Sequence, residues 1–238
     1  SVGYTALQLR VGLYGDIERN QKNTFSINST NLSGEFLFAK GTFKIFKLKS
    51  PKKAYRTRLW SIPDKRLMKK SRFEQFFPKD QYKNESNHKF WQKEKTVYEK
   101  KFNTKKNKKY KLPSANWRMG KYKIEVYSKD RFGQKVKAIK YFTLYSKRSN
   151  KLPFPQMGWY KKIKHSVEPG KKAQFLIGSS EKNVKVIYEV EYRNKLISKK
   201  WINLNNQQKR INIPIKEKHR GNLGVHFTFV KNNRTYTY

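Results

Sequence analysis

Apolar and polar residues alternate along much of this chain. In residues 121–127, Tyr122, Ile124 and Val126 are separated by Lys and Glu residues. Successive side chains of a β-strand point to opposite faces of a sheet, so a period of two predicts a strand with one buried face. We therefore expect Tyr122, Ile124 and Val126 to point inward. Similar runs cover residues 5–13, 36–48, 136–144 and 184–192, and shorter ones continue to residue 238.

Turn-forming residues separate these runs. Residues 129–133 contain Asp and Gly and predict a hairpin turn between two of the runs. Residues 193–195 predict a second hairpin turn. Pro214 has no amide hydrogen to donate, so it predicts a strand end or an edge position. Short strands separated by turns at even spacing are typical of an all-β sandwich.

One segment has helical spacing instead. Within residues 64–78, Ser71 and Glu74 have the spacing of a capping box, three Phe residues follow at helical intervals, and Pro78 comes next. A capping box marks a helix start, and proline ends a helix. The sequence predicts one short helix near residues 71–77.

The strand pattern divides into two halves. Residues 146–157 are polar and then contain two prolines, which is typical of a domain joint. We therefore expect two tandem antiparallel β-sandwich domains of immunoglobulin or fibronectin-III type, at residues 1–148 and 149–238. A Lys-rich insertion of about residues 64–111 is assigned to the first domain, with a strand near 95–102. A strand-like segment follows directly after Ser1, so we expect the chain to be part of a longer protein.

Few but large side chains are available for the cores. Hydrophobic residues make up 36% of the chain, and aromatic residues alone make up 15%. Disordered chains contain few aromatic residues, so the composition favours a folded protein. In the second domain the alternation predicts a single core formed by Phe175, Ile177, Val186, Tyr188, Val190 and Trp201.

The chain is strongly basic. It has 57 Lys and Arg residues against 16 Asp and Glu, a formal net charge of +41. The charge is spread over most of the sequence, whereas nucleic-acid readers concentrate it on one face or helix. We interpret most of it as surface composition and expect no specific nucleic-acid partner. An anionic surface or a nucleic acid remains an alternative partner through non-specific attraction.

The sequence shows no pattern typical of an enzyme. It has no Cys, which excludes disulfides, Cys-ligated metals and Cys nucleophiles. His88, His165, His219 and His226 do not have the spacing of a metal site. Nucleotide-binding and serine-hydrolase motifs are absent. We therefore predict no catalytic residues, no cofactor, no metal and no enzymatic activity. No apolar run reaches the length of a membrane span, so none is predicted.

Aromatic and Lys residues are interleaved in residues 89–122, which include Trp91 and Trp117. This pattern is typical of a surface on which the bases of single-stranded nucleic acid stack. It equally arises where strands bury their aromatic residues and expose their Lys residues. We favour the second interpretation and assign no binding residues.

Several longer stretches resemble bacterial α-2-macroglobulin family proteins. In the first half these are residues 28–51, 58–64 and 73–82 with the following Trp91, and the hairpin 120–136. In the second half they are VEPGKKAQFLIGSSEKNVKVIYEVEYRNKLISKKWINL at 167–204 and INIPIKEKHRGNLGVHFTFVKNNRTY at 211–236. Each half resembles one macroglobulin-like domain.

The resemblance implies a non-catalytic scaffold within a large inhibitor that traps endopeptidases after they cut a bait segment. It implies neighbouring macroglobulin-like domains and target proteases as partners. It also implies an extracytoplasmic location, whether periplasmic, cell-surface or secreted. The thioester of many family members needs a Cys, which this chain lacks. The alternatives are a generic extracellular β-sandwich for adhesion or glycan binding, and a basic protein that binds nucleic acid or anionic surfaces.

Overall fold

A computed structural model describes residues 5–238, and nearly all its regular structure is β-strand. The first strands are β1 (Gln8–Gly12), β2 (Ile17–Glu18), β3 (Asn23–Thr30), β4 (Lys40–Leu48), β5 (Lys93–Asn103), β6 (Lys109–Leu112), β7 (Gly120–Lys129) and β8 (Lys135–Tyr145). The later ones are β9 (Trp159–Lys164), β10 (Lys172–Ser179), β11 (Val184–Tyr192), β12 (Lys195–Leu204), β13 (Gln207–Pro214), β14 (Leu223–Lys231) and β15 (Arg234–Thr237). In the described residues α1 (Lys70–Phe76) is the single α-helix, and short 3-10 turns cover 88–90, 114–116 and 217–219.

The chain divides into two units. The first takes residues up to Ser50 together with Trp91–Ser146, and the second takes Pro51–Phe90 together with Lys147–Tyr238. The sequence assigned about 64–111 to the first domain as one insertion. The structure instead splits that stretch. Its later part forms β5, which pairs with β4, whereas its earlier part lies with the second unit.

The first unit is a sandwich of two sheets. One has the order β2-β8-β7-β4-β5 and the other β1-β3-β6. All pairs are antiparallel except β2 with β8, which is parallel. As predicted, Tyr122, Ile124 and Val126 point inward and are fully buried. Aromatic rings from both sheets meet in this core, with the ring centroids of Phe25 and Phe43 5.1 Å apart.

The second unit is also a two-sheet sandwich, with the orders β13-β10-β9 and β12-β11-β14-β15. Five of the predicted core residues lie in one cluster, namely Phe175, Ile177, Val186, Tyr188 and Val190. The prediction for Trp201 is wrong, because this side chain is 62% exposed. Its neighbours Ile202 and Leu204 are buried instead. Alternation along β12 places Trp201 on the outer face, opposite Ile187.

The predicted turns are present. Asp130 Oδ1 accepts backbone N–H bonds from Phe132 and Gln134 and closes the β7–β8 hairpin. Arg193 and Asn194 adopt left-handed φ angles of 50° and 60° between β11 and β12. Two successive positive φ angles match the right-handed twist of a tight hairpin. Pro214 ends β13, which is an edge strand, as predicted.

The helix is correctly placed, but the predicted capping box is not formed. Helix α1 begins one residue earlier than expected, so Lys69 is the N-cap and Ser71 lies inside the first turn. No side chain caps the helix, and none of its residues is buried. A helix of seven residues without caps has little stability of its own, so the surrounding segment must hold it.

Candidate binding surfaces and an anchored segment

Residues 51–90, here called the anchored segment, are attached to the second unit through Arg56. The guanidinium forms a bidentate pair with Asp80, in which Nη2 lies 2.6 Å from Oδ2. Arg56 Nη1 also donates to the backbone oxygen of Asn232, at 3.1 Å. The bond from Arg56 lowers the pKa of Asp80 below its ordinary value. Planar bidentate pairs of this kind fix geometry as well as supplying energy.

Further polar contacts complete this attachment. Arg234 Nε donates to the backbone oxygen of Thr57 at 3.2 Å. Lys79 Nζ donates to Glu181 Oε1 at 2.6 Å, and Asn232 binds the other oxygen of Glu181 at 3.3 Å. Within the anchored segment only Ala54 is buried. Charged and backbone groups, rather than a hydrophobic core, therefore hold the segment.

Large apolar side chains of the anchored segment face solvent. Their exposed fractions are 67% for Leu59, 66% for Trp60, 100% for Leu67, 57% for Phe76, 41% for Phe77 and 66% for Phe90. Single exposed apolar residues are ordinary, but so many within one segment of the sequence make it a candidate interaction surface. The stretch RLWSIPD, which carried part of the family resemblance, contains two of them.

Glu125 is buried at the centre of the outer face of the five-stranded sheet. Its side chain has no exposed surface, although it lies on the polar face of β7. Three ammonium groups surround the carboxylate at 2.7 Å (Lys93), 2.6 Å (Lys123) and 3.1 Å (Lys137), and the Tyr127 hydroxyl donates to it. Burial alone would raise the pKa of Glu125, but these hydrogen bonds outweigh it and hold the pKa well below its usual range.

Aromatic rings support the same ammonium groups. Lys93 Nζ lies 4.1 Å from the ring centroid of Phe46, and Lys137 Nζ lies 5.1 Å from that of Tyr127. Burial and the neighbouring carboxylate of Glu125 raise the pKa of Tyr127 to about 12. Three ammonium groups against one carboxylate leave an excess of positive charge in this cluster.

A cleft of about 780 Å³ lies in the second unit and brings three of the four His residues to its walls, His165, His219 and His226. His219 Nδ1 accepts the backbone N–H of Lys216 at 3.1 Å, and His226 Nε2 lies 3.6 Å from Glu191. His88 lies in the 3-10 turn at 88–90, away from this cleft. In residues 5–238 no group of three or more His, Asp or Glu side chains could hold a metal ion.

The interleaved aromatic residues at 89–122 do not form one open stacking face. Trp117 stacks on Tyr122 with centroids 5.4 Å apart and packs against the first core. Phe102 and Tyr110 are buried, and Trp91 is half-buried. Most aromatic residues of this stretch are therefore buried or half-buried, whereas Phe90 is 66% exposed.

Trp201 is the clearest exposed aromatic ring on a strand of the second unit. With Lys185 and Asn203 it lines a shallow hollow of about 290 Å³ on the outer face of the four-stranded sheet. The sequence had placed this residue in the core, so its role as a surface group appears only in the folded structure.

Across the described part of the chain, no helix has the length and apolar character needed to cross a membrane.

No family profile matches the chain, and no curated protein matches it in sequence. Among solved structures, a tetra-tandem repeat in the extending region of a large adhesion protein aligns with 98% of this chain, at 13% identity and a TM-score of 0.30. The native α-2-macroglobulin of E. coli aligns with 98% at 11% identity and a TM-score of 0.34. Salmonella α-2-macroglobulin reacted with methylamine aligns with 99% at 15% identity and a TM-score of 0.32.

This chain spans 47% of the adhesion-protein chain, and 16% and 14% of the two macroglobulins. Scores and identities this low assign neither a family nor a function.

Proposed function

We propose that this chain is a non-catalytic scaffold within a larger extracytoplasmic protein of the α-2-macroglobulin type. The observation that supports this most is the path of the anchored segment. Strands β4 and β5 are antiparallel neighbours that a short turn could join. Instead, forty residues leave the first unit between them and are built into the second unit. The chain consequently passes between the units three times.

Such a connection suits a protein in which successive modules must act together. Three covalent passages link the two units, where tandem domains have a single linker. The polar contacts of Arg56, Arg234 and Lys79 then fix the passing segment to the second unit. These features suit a structural role within a larger assembly.

The family resemblance of the sequence supplies the finer part of the proposal. It covers most of both halves, and it includes residues 58–64 and 73–82 of the anchored segment. On this basis the partners are neighbouring macroglobulin-like domains and the proteases that the complete protein encloses. Within this proposal the 238 residues supply no catalytic group and no thioester.

The test compares this chain with the complete product of its gene, using trypsin with a large protein substrate and a small chromogenic peptide. A cage excludes large substrates from an enclosed protease but admits small ones. We expect the complete product to block cleavage of the protein substrate only, and the 238-residue chain to block neither. Inhibition by the 238-residue chain alone would refute the scaffold proposal, and so would equal inhibition of both substrates by the complete product.

Glycan binding is a second candidate, which the hollow at Trp201 favours. Aromatic rings present an apolar face, and the amide of Asn203 and the ammonium of Lys185 can bind hydroxyl groups beside it. A glycan array followed by calorimetry would test this. Binding that is lost in Trp201→Ala but kept in Trp60→Ala would support it, and no binding to any glycan would exclude it.

A further inference from the structure

We propose that the anchored segment binds the surface of an anionic phospholipid membrane, with its exposed apolar side chains at the lipid interface. This role goes beyond that of a scaffold. It rests on the side chains that the segment presents to solvent and on their charge, and not on any membrane-spanning element.

The apolar side chains are the first part of the argument. Leu67 is fully exposed, and Leu59 and Trp60 are each about two-thirds exposed. Phe76, at the end of α1, is exposed as well. Leu, Phe and Trp are the residues that interfacial segments insert among lipid headgroups. Exposure of these apolar side chains to water is unfavourable, so a partner that covers them gains binding free energy.

The charge is the second part. The anchored segment has twelve Lys and Arg residues and four Asp and Glu residues. Asp80 is already paired with Arg56, and Glu74 lies 4.0 Å from Lys70, so two of the four acids are compensated internally. Lys65 and Arg66 directly precede Leu67. Basic residues beside inserted apolar ones are attracted to anionic headgroups.

The rigidity of the attachment is the third part. Tyr82 donates its hydroxyl proton to the Met68 oxygen at 2.9 Å and packs on Phe73 with centroids 5.4 Å apart. Arg66 stacks over the same Tyr82 ring. The contacts of Arg56 fix the base of the segment. Because its backbone is already held, the segment loses little conformational entropy on binding.

The chemistry favours a membrane over a protein partner. A protein interface typically depletes its core of Lys, whereas here the fully exposed Leu67 lies close in the sequence to Lys65, Lys69 and Lys70. A partner with anionic groups at its surface and an apolar layer below them would bind both the basic and the apolar side chains. Anionic bilayers have this layered arrangement.

The test uses the whole 238-residue chain with vesicles of phosphatidylcholine alone or with 30% phosphatidylglycerol. We expect co-sedimentation with the phosphatidylglycerol vesicles and little with phosphatidylcholine. Raising the salt concentration should weaken the binding to phosphatidylglycerol vesicles. Trp60→Ser combined with Leu67→Ser should lower the partition coefficient about tenfold. Leu196→Ser combined with Val230→Ser is the matched control, because both apolar side chains are exposed on the same unit, and it should leave the partition coefficient unchanged.

A fluorescent probe separates insertion from simple adsorption. The chain has no Cys, so Leu67→Cys and Leu196→Cys each offer one labelling site, and both side chains are exposed. The fluorescence emission of an environment-sensitive dye at position 67 should shift to shorter wavelength when phosphatidylglycerol vesicles are added. The emission of the same dye at position 196 should not shift. Absence of vesicle binding would overturn the proposal. Binding without a shift at position 67, and without an effect of the serine substitutions, would also overturn it, since the net charge alone would then explain adsorption.

Discussion

Replacement of Glu125 by Gln is expected to destabilise the first unit by about 2–3 kcal/mol. Gln keeps the shape of the side chain but leaves three ammonium groups without their anion. Breaking a fully buried ion pair costs about 3–5 kcal/mol. Here Lys93 and Lys137 are each 42% exposed and can turn to water, whereas Lys123 is only 16% exposed and cannot do so fully. The expected loss therefore lies below the fully buried range.

The matched control is Glu99→Gln. Glu99 also faces outward on the same sheet and pairs with Lys44 at 3.1 Å, but both side chains are well exposed. Exposed pairs contribute about 0–1 kcal/mol, so this variant should unfold almost as the parent does. Urea unfolding is the assay, with hydrogen exchange of the β7 amides as a reading of the first unit alone. Equal stability of the two variants would refute the argument.

The pH dependence gives a second reading of Glu125. Its pKa in the folded protein lies below the ordinary value of 4.5, so its contribution is complete above that value. The contribution is lost as the pH falls below about 4.5, because the unfolded chain then binds the proton first. The stability difference between the parent and Glu125→Gln should be full at pH 7 and should shrink at pH 3. A difference that grows in acid would show that the sign is wrong.

Three further predictions concern packing and the anchored segment. Arg56→Ala should raise chymotrypsin cleavage within the anchored segment about tenfold or more, since it removes bonds to a charged group worth about 1.5–3 kcal/mol; Arg72→Ala should not. Gly41→Ala should destabilise the first unit by about 2–3 kcal/mol in urea, because a Cβ there would lie 2.0 Å from the backbone oxygen of Tyr127. Val190→Ala should cost about 1–3 kcal/mol, whereas Trp201→Ala should cost almost nothing in the same melts.

Each of these three can fail in a distinct way. Chymotrypsin cleavage unchanged by Arg56→Ala would show that other contacts hold the segment. A stable Gly41→Ala would show that β4 and β7 can separate locally at no cost. A clear loss of stability in Trp201→Ala would show that the Trp201 side chain is buried after all.

The alternation of the sequence was enough to predict many of the strands, though not β3, β6 or β9, because period two is imposed by the backbone of a strand itself. It placed Tyr122, Ile124 and Val126 inward correctly. It failed at Trp201, because an apolar residue on the outer face of a sheet produces the same pattern as one on the inner face when the register is unknown. The register of β12 against β11 decided the question.

The sequence by itself determined the all-β class, the short helix and the hairpin turns, since local spacing and turn chemistry specify these. Only the tertiary structure decided that residues 51–90 lie with the second unit and that Glu125 is buried among three Lys residues. Both depend on contacts between groups far apart in the chain, such as Arg56 with Asn232 and Lys93 with Glu125. No local pattern encodes such pairings, because only the folded chain brings the two partners together.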